Sequence, residues 1–133
     1  KPVSNTTKFY SLQKLLWSNK IVTSSVLLKS SIAKELFFDT RLSSVEDFHL
    51  WLRIAHKSVI ALIDEELTVY AKQLGYGISG LSGNIDLLYK NELLCFAFLR
   101  KDKILSFFQY LLAVSVTNLR YIRRKIITQI KGK

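Results

Sequence analysis

The sequence predicts an α/β fold that is rich in helix and holds only a few short strands. Two long segments, residues 85–99 and 103–130, have helical apolar spacing and contain no Pro or Gly. Shorter runs at residues 21–28, 59–63 and 67–71 are rich in apolar and β-branched residues and indicate strands. A clear amphipathic helix that begins at Ser43, between the first and second of these strands, completes the mixed pattern.

Composition limits the class of protein. The chain has 133 residues, of which 49% are hydrophobic and 12% aromatic, and this excludes a disordered tail. A single Cys excludes a disulfide framework and a cysteine-based zinc site. The chain has no Met and begins at Lys1, so we expect it to be a piece of a larger protein.

The first forty residues alternate between short elements. The predicted segments are a helix at 10–19, a buried strand at 21–28, a helix at 30–36 and a loop at 37–42. Leu12, Leu15 and Leu16 would share the buried face of the first helix.

The clearest helix begins at Ser43 and Ser44. Ser43 and Glu46 have the spacing of a capping box, in which each side chain satisfies a backbone N–H of the first turn. The apolar face is formed by Phe48, Trp51, Leu52 and Ala55.

The region after this helix contains a predicted hairpin and a glycine-rich loop. Residues 59–63 and 67–71 flank an acidic turn at 64–66, and the loop covers residues 74–84. Gly75, Gly77 and Gly80 match a G-x-G-x-x-G pattern, but no second parallel strand follows, so the pattern does not predict a dinucleotide site. Two long helices close the chain, and the second is predicted to break near Thr117 and Asn118.

The chain has two histidines and one cysteine that could take part in chemistry. His49 and His56 are seven residues apart on one helix, which suits metal chelation poorly, and we expect a solvated or salt-bridged stripe. Cys95 lies among Leu94, Phe96 and Phe98 and is predicted to be a small buried hydrophobic residue.

The positive charge is concentrated near the end of the chain. Residues 100–133 hold nine Lys or Arg and one acid, a net of +8, out of +10 for the whole chain. The main basic residues are Arg100, Lys101, Lys103, Arg120, Arg123, Arg124 and Lys125. This asymmetry indicates an anionic partner, either nucleic acid or a membrane surface, with a solvated tail as the alternative. The apolar run at 104–116 is shorter than the roughly 20 residues that span a bilayer.

Glu46 and Asp47 allow two interpretations. Carboxylates in the first turn of a helix interact favourably with the helix dipole and need no other role. Alternatively, one of them is a general base that removes a proton from a substrate hydroxyl. Their spacing does not distinguish between the two.

A longer pattern around these carboxylates resembles a known family. Residues 46–55, Glu-Asp-Phe-His-Leu-Trp-Leu-Arg-Ile-Ala, match the pattern E-D-[FY]-x-L-W-x-R-[IL]-A without a gap. Further matching segments are Asn19 to Ile21, Thr23 to Lys29, Phe38-Asp39, Val59 to Ile63, Leu67 to Tyr70 and Ile78-Ser79. Over residues 19–80 the chain is similar to the second half of family-2 glycosyltransferases, inverting enzymes with the GT-A fold.

The resemblance implies roles for several residues. Asp47 would be the catalytic base on the acceptor hydroxyl, and Glu46 would orient the acceptor or brace the loop. Arg53 would contact the donor phosphates or the motif's carboxylates, or form an exposed salt bridge. Tyr70, Lys72 and Ser79 would bind acceptor or donor phosphate. The family usually has Arg and then His after this Tyr, and this chain has neither.

The resemblance also implies what this chain lacks. The family neutralises the leaving diphosphate with Mg²⁺ or Mn²⁺ held by an Asp-x-Asp motif, and no Asp-x-Asp occurs in the chain. We expect the 133 residues to be inactive alone, with no metal ligand of their own.

The remaining expectations concern organisation and location. Residues 1–80 would form the acceptor-side part of the catalytic domain, and residues 81–133 a basic helical extension. The complete enzyme would use a nucleotide sugar and a glycan or lipid-linked acceptor, in bacterial surface-polysaccharide or lipid-linked oligosaccharide assembly, peripherally at the cytoplasmic face of the membrane. The competing prediction is a non-enzymatic module that binds nucleic acid or anionic membrane through residues 100–133, although the apolar run argues against nucleic acid.

Overall fold

The computed structural model describes residues 7–63 and 84–131. In this part of the chain the fold is mixed α/β and rich in helix, with one two-stranded sheet. The elements are β1 (Thr7–Tyr10), α1 (Leu12–Trp17), α2 (Ser30–Glu35), α3 (Glu46–Lys57), β2 (Ile60–Ile63), α4 (Ile85–Lys101) and α5 (Phe107–Lys131), with a 3₁₀ turn at Thr23–Ser25.

The sheet joins the beginning and the end of the described range 7–63. β1 and β2 are antiparallel, with Thr7 opposite Ile63 and Tyr10 opposite Ile60. The strand predicted at 59–63 is therefore confirmed, but its described partner is β1. The predicted partner at 67–71, the turn at 64–66 and residues 74–83 of the glycine loop lie outside the described residues.

The strand predicted at 21–28 is wrong. Thr23–Ser25 form a 3₁₀ turn, and Leu27 is 96% exposed. Ser25 Oγ donates to the carbonyl of Val22 at 2.8 Å, a local bond that competes with an extended ladder. The neighbouring short helices occur where predicted, since α1 buries Leu15 and Leu16 and α2 covers Ser30–Glu35. Helix α1 is shorter than the predicted 10–19, because Tyr10 belongs to β1.

Helix α3 begins three residues later than predicted. Its N-cap is Val45, without a side-chain cap, because Ser43 is bonded elsewhere. The Ser43 N–H donates to Asn91 Oδ1 at 3.1 Å, and Ser43 Oγ accepts from Asn91 Nδ2 at 3.3 Å. The predicted capping box at Ser43 and Glu46 is therefore wrong, because Ser43 is hydrogen-bonded to Asn91 of α4 instead.

A capping box does occur at the start of α5. The Gln109 N–H donates to Ser106 Oγ at 3.2 Å, and the Ser106 N–H donates to Gln109 Oε1 at 2.9 Å. From there α5 continues to Lys131, so the predicted break near Thr117 and Asn118 is wrong. Both residues instead join α5 to the rest of the fold, since Thr117 is buried and Asn118 Oδ1 accepts from the Tyr89 hydroxyl of α4.

A main core joins the described parts on either side of residue 80. Helix α3 packs on α1 and α4, and α4 packs on α5. The core is formed by Tyr10, Leu15, Leu16, Leu42, Val45, Leu52, Leu88, Cys95, Phe96, Leu99, Leu105 and Ala113. A smaller cluster on the other side of α3 contains Leu36, Leu50, Trp51 and Ile54. The domain boundary at residue 80 lies outside the described residues and stays a prediction.

Candidate functional site

The first turn of α3 holds two half-buried carboxylates. Glu46 and Asp47 are its first two residues, where unpaired backbone N–H groups favour negative charge. The helix is held in place by both cores, through Leu52 on one side and Leu50, Trp51 and Ile54 on the other. The two carboxylates therefore stand on a rigid element rather than on a loop.

Asp47 is oriented by a contact from a distant part of the chain. Its Oδ2 accepts a hydrogen bond from Thr23 Oγ1 at 2.8 Å, and its Oδ1 accepts from the Phe48 N–H at 2.6 Å. Among the described residues each oxygen thus has one donor, and it keeps lone-pair capacity for another. A carboxylate held in this way can accept a proton from a hydroxyl placed beside it.

Glu46 has one buried oxygen that is not satisfied within the described residues. Its Oε2 has no hydrogen-bond partner there, and neither does the neighbouring Ser44 Oγ. Buried polar atoms normally find partners, because leaving one unpaired costs roughly 1–3 kcal/mol. The start of α3 can therefore accept further hydrogen bonds.

Arg53 fixes the preceding loop to α3. Its Nη1 donates to the carbonyl of Phe37 at 3.1 Å. Next in the loop, the Phe38 ring makes an edge-to-face contact with Trp51 at 6.3 Å. Of the roles considered for Arg53, neither a carboxylate contact nor a salt bridge occurs among the described residues. The other N–H groups of the Arg53 guanidinium can still donate hydrogen bonds to an anionic group.

Asp39 and Arg41 form a tight ion pair that was not predicted. Arg41 Nη2 lies 2.6 Å from Asp39 Oδ2, and Nε donates to Oδ1 at 2.9 Å. The Arg41 side-chain hydrogen bond lowers the pKa of Asp39 to about 2. The Arg41 guanidinium also stacks over the Phe98 ring of α4 at 4.0 Å. The Phe-Asp pair at 38–39 is thus fixed to both α3 and α4, although no signal in the sequence linked Asp39 to Arg41.

His49 is buried, which corrects the prediction of a solvated stripe. It is 1% exposed and packs edge-to-face on Phe98 at 6.3 Å, whereas His56 is exposed. Neither ring nitrogen has a partner among the described residues. Burial, followed by the charge of Arg53, lowers the pKa of His49. The two histidines share a face of α3, but α4 covers only the first of them.

Other predicted groups are divided between the described and undescribed parts. Tyr70, Lys72 and Ser79 lie outside the described residues. Cys95 is fully buried as predicted, and burial raises the pKa of its thiol. Among residues 7–63 and 84–131, no cluster of three His, Cys, Asp or Glu side chains could hold a metal ion.

The seven basic residues fall into two groups. Three have contacts within the fold: Arg124 pairs with Glu92 at 3.2 Å, Lys125 pairs with Asp86 at 2.8 Å, and Arg120 donates to the Trp17 carbonyl at 2.8 Å. The others are exposed and form no ion pair with another described residue. They are Arg100, Lys101, Lys103 and Arg123.

Comparisons with protein-family models, with curated proteins and with solved structures gave no match to this chain. In the described part of the chain, none of the helices is both long enough and apolar enough to cross a bilayer.

Proposed function

We propose that this chain is the acceptor-side part of an inverting glycosyltransferase of the GT-A type, with Asp47 as the catalytic base. The complete enzyme would transfer a sugar from a nucleotide-sugar donor to an acceptor hydroxyl. The proposal starts from the Glu-Asp motif and its neighbours, and it needs those separated segments to act at one place.

The hydrogen bond between Thr23 and Asp47 is the observation that carries the proposal. The resemblance contains one segment that begins at Thr23 and another that begins at Glu46, and nothing in their spacing requires that they touch. In the fold the first residue of one segment bonds the carboxylate of the other at 2.8 Å. A surface carboxylate that only complemented the helix dipole would not need this second, distant donor.

The chemistry assigned to Asp47 is proton removal. As an inverting displacement proceeds, the acceptor oxygen forms its bond to the anomeric carbon while the bond from that carbon to the nucleoside diphosphate breaks. The proton of the acceptor hydroxyl passes to the Asp47 carboxylate, and the nucleoside diphosphate leaves. Thr23 and the Phe48 N–H would hold the carboxylate in the orientation that accepts this proton. Glu46 lies beside Asp47 in the first turn of α3 and would orient the acceptor or brace the loop.

A divalent metal does not fit the residues that the structure describes. The sequence has no Asp-x-Asp, and the described residues bring together no group of three ligand side chains. We therefore derive no step through Mg²⁺ or Mn²⁺. Its ligands, like the nucleotide-binding residues, would come from another segment of the complete enzyme, and the 133 residues alone would not turn over.

The proposed acceptor is a glycan or a lipid-linked sugar. We associate the enzyme with bacterial surface-polysaccharide or lipid-linked oligosaccharide assembly, at the cytoplasmic face of the membrane. The basic residues of α4 and α5 support this placement, because each cation near an anionic leaflet contributes about 1 kcal/mol to binding.

The test uses the complete enzyme that contains this segment. UDP-, GDP- and dTDP-linked hexoses would be supplied with a soluble glycan or a lipid-linked sugar, and release of nucleoside diphosphate would be measured. We expect acceptor-dependent release and a product with inverted anomeric configuration by proton NMR. Retained configuration, or no acceptor-dependent release from any donor, would overturn the proposal. The 133-residue chain serves as the inactive control.

A further inference from the structure

Helix α5 has an apolar face that the fold leaves exposed. Its 25 residues make a helix roughly 37 Å long, since each residue adds about 1.5 Å. Along one side lie six large apolar side chains, each between 51% and 80% exposed. We call them the α5 stripe: Phe108, Leu112, Leu119, Ile122, Ile126 and Ile130. Their spacing of three, four or seven residues keeps them on one face.

The α5 stripe lies opposite the face that packs on the rest of the protein. Ala113 and Thr117 are each 2% exposed, and the Tyr121 ring stacks on Tyr89 of α4 at 4.1 Å. Because α4 already occupies that side, it cannot also cover the stripe. Contiguous exposed apolar surface of this kind marks a site of interaction with another body.

Positive charge accompanies the stripe. Arg100, Lys101 and Lys103 lie at the end of α4 and in the turn that leads into α5, and we call them the basic corner. With Arg123 on α5, they are exposed and form no ion pair with another described residue. Asp102, between Lys101 and Lys103, is the one acidic residue of segment 100–133, which keeps a net charge of +8.

The positive charge near the α5 stripe distinguishes among three possible binding partners. A second copy of the chain would bring together the exposed cations of two chains, and like charges at an interface oppose association. A nucleic acid would meet the cations but offer little to the aliphatic side chains of Leu and Ile. An anionic lipid surface satisfies both, because its headgroups attract the cations and its acyl boundary accepts the apolar side chains.

We infer that α5 docks on anionic membranes by lying in the plane of the interface, with the α5 stripe in the acyl boundary and the basic corner at the headgroups. The inference rests on α4 and α5 alone and does not require the proposed glycosyltransferase activity. Vesicle binding and sugar transfer can therefore fail separately.

The test is sedimentation of the 133-residue chain with vesicles of phosphatidylcholine alone or mixed with phosphatidylglycerol. We expect binding that needs the anionic lipid. Phe108→Gln, Ile122→Gln and Ile126→Gln combined should weaken it by about tenfold or more. The control is Leu27→Gln, which removes a 96% exposed apolar side chain outside α4 and α5 and should change nothing.

A second variant tests the charge. Replacing Arg100, Lys101, Lys103 and Arg123 by Gln should weaken binding to the anionic vesicles by about tenfold or more and reduce its salt dependence. Arg124 is left unchanged, because its ion pair with Glu92 is mostly buried. Circular dichroism and the thermal midpoint should match those of the wild type, since every changed side chain is exposed.

Membrane depth gives a readout that does not depend on affinity. In vesicles of bromine-labelled lipid, Ile122→Trp should gain a quenched fluorescence component that Leu27→Trp lacks, with Trp17 and Trp51 as the shared background. Undiminished vesicle binding by the stripe variant, or equal quenching of the two Trp variants, would overturn the inference. So would a lipid-free dimer that the stripe variant abolishes, or salt-sensitive oligonucleotide binding in place of vesicle binding.

Discussion

The Thr23 hydroxyl donates a 2.8 Å hydrogen bond to Asp47 Oδ2, across 24 residues of sequence. It joins the 3₁₀ turn before α2 to the first turn of α3, so the orientation of the proposed base depends on a second element. Thr23 is therefore a positioning residue in the proposed site.

We expect Thr23→Val to lower sugar transfer by the complete enzyme about tenfold, the approximate effect of losing one hydrogen bond to a charged group. Thr23→Ser keeps the hydroxyl and should restore most of the rate. Stability should be almost unchanged in both, because Thr23 is exposed. Equal rates for the Val and Ser variants would contradict a positioning role.

Stability should fall as the pH falls below about 6.5, because of His49. Its pKa is lowered in the fold, chiefly by burial, so between its folded and unfolded pKa values the unfolded chain binds more protons. The stabilising effect is complete above the unfolded pKa of about 6.5 and is lost as the pH drops toward the folded value. Urea unfolding between pH 5 and pH 7.5 measures the slope, which cannot exceed about 1.4 kcal/mol per pH unit for one group.

Two variants test whether His49 causes this pH dependence of stability. His49→Leu should flatten it, whereas Gln13→Leu, which changes an exposed residue of α1 that does not titrate, should not. Asp39 does not interfere, since its pKa of about 2 makes its own contribution disappear only at lower pH. A slope that His49→Leu leaves unchanged would refute the assignment.

Asn91 should be important for stability. It is 3% exposed, and its side chain bonds the Leu87 carbonyl at 2.9 Å and both the N–H and the hydroxyl of Ser43. Asn91→Leu would leave the Ser43 N–H without this partner, and we expect the free energy of unfolding to fall by about 1–3 kcal/mol. Gln13→Leu, on an exposed position of α1, is the control and should stay within about 0.5 kcal/mol of wild type.

Replacing Lys103 by glycine should raise the stability of the protein. It is the one non-glycine residue with positive φ, at 58°, among the described residues. Its N–H bonds the Arg100 carbonyl and the Ile104 N–H bonds the Leu99 carbonyl, the pattern of a Schellman motif that favours Gly at this position. Thermal unfolding should show Lys103→Gly stabilising by about 1 kcal/mol. Lys101→Gly, within α4, should instead destabilise, and the same sign for both variants would contradict this account.

The elements that sequence predicts well are those in which local pattern and tertiary packing agree. The apolar spacing of α3 predicted that Trp51 and Leu52 are buried, and Cys95 among aromatic neighbours is buried as expected. The errors arise where a distant partner decides. Ser43, the predicted capping residue of α3, is hydrogen-bonded to Asn91 of α4 instead. His49 is buried by its contact with Phe98 of α4, which the seven-residue spacing of the two histidines does not predict.

The same holds for the candidate site. Residue types and order identified Glu46 and Asp47, but the Thr23 contact and the Asp39–Arg41 pair depend on how loops lie against α3. Counting charge located the basic segment but did not separate Arg124, which pairs with Glu92, from the exposed Arg123. Apolar spacing in the sequence predicts which face of a helix is buried, but the residues that this face contacts are known only from the structure.

The central claim is that Asp47 removes the acceptor proton, and one substitution tests it directly. Asp47→Asn keeps the shape of the side chain and an oxygen that can accept from Thr23, but it lacks a basic carboxylate. In the complete enzyme, we expect acceptor-dependent release of nucleoside diphosphate to fall by at least about 100-fold, with an unchanged thermal midpoint. Asp102→Asn, an exposed carboxylate at the end of α4, should retain full activity. Near-normal transfer by Asp47→Asn would contradict the account.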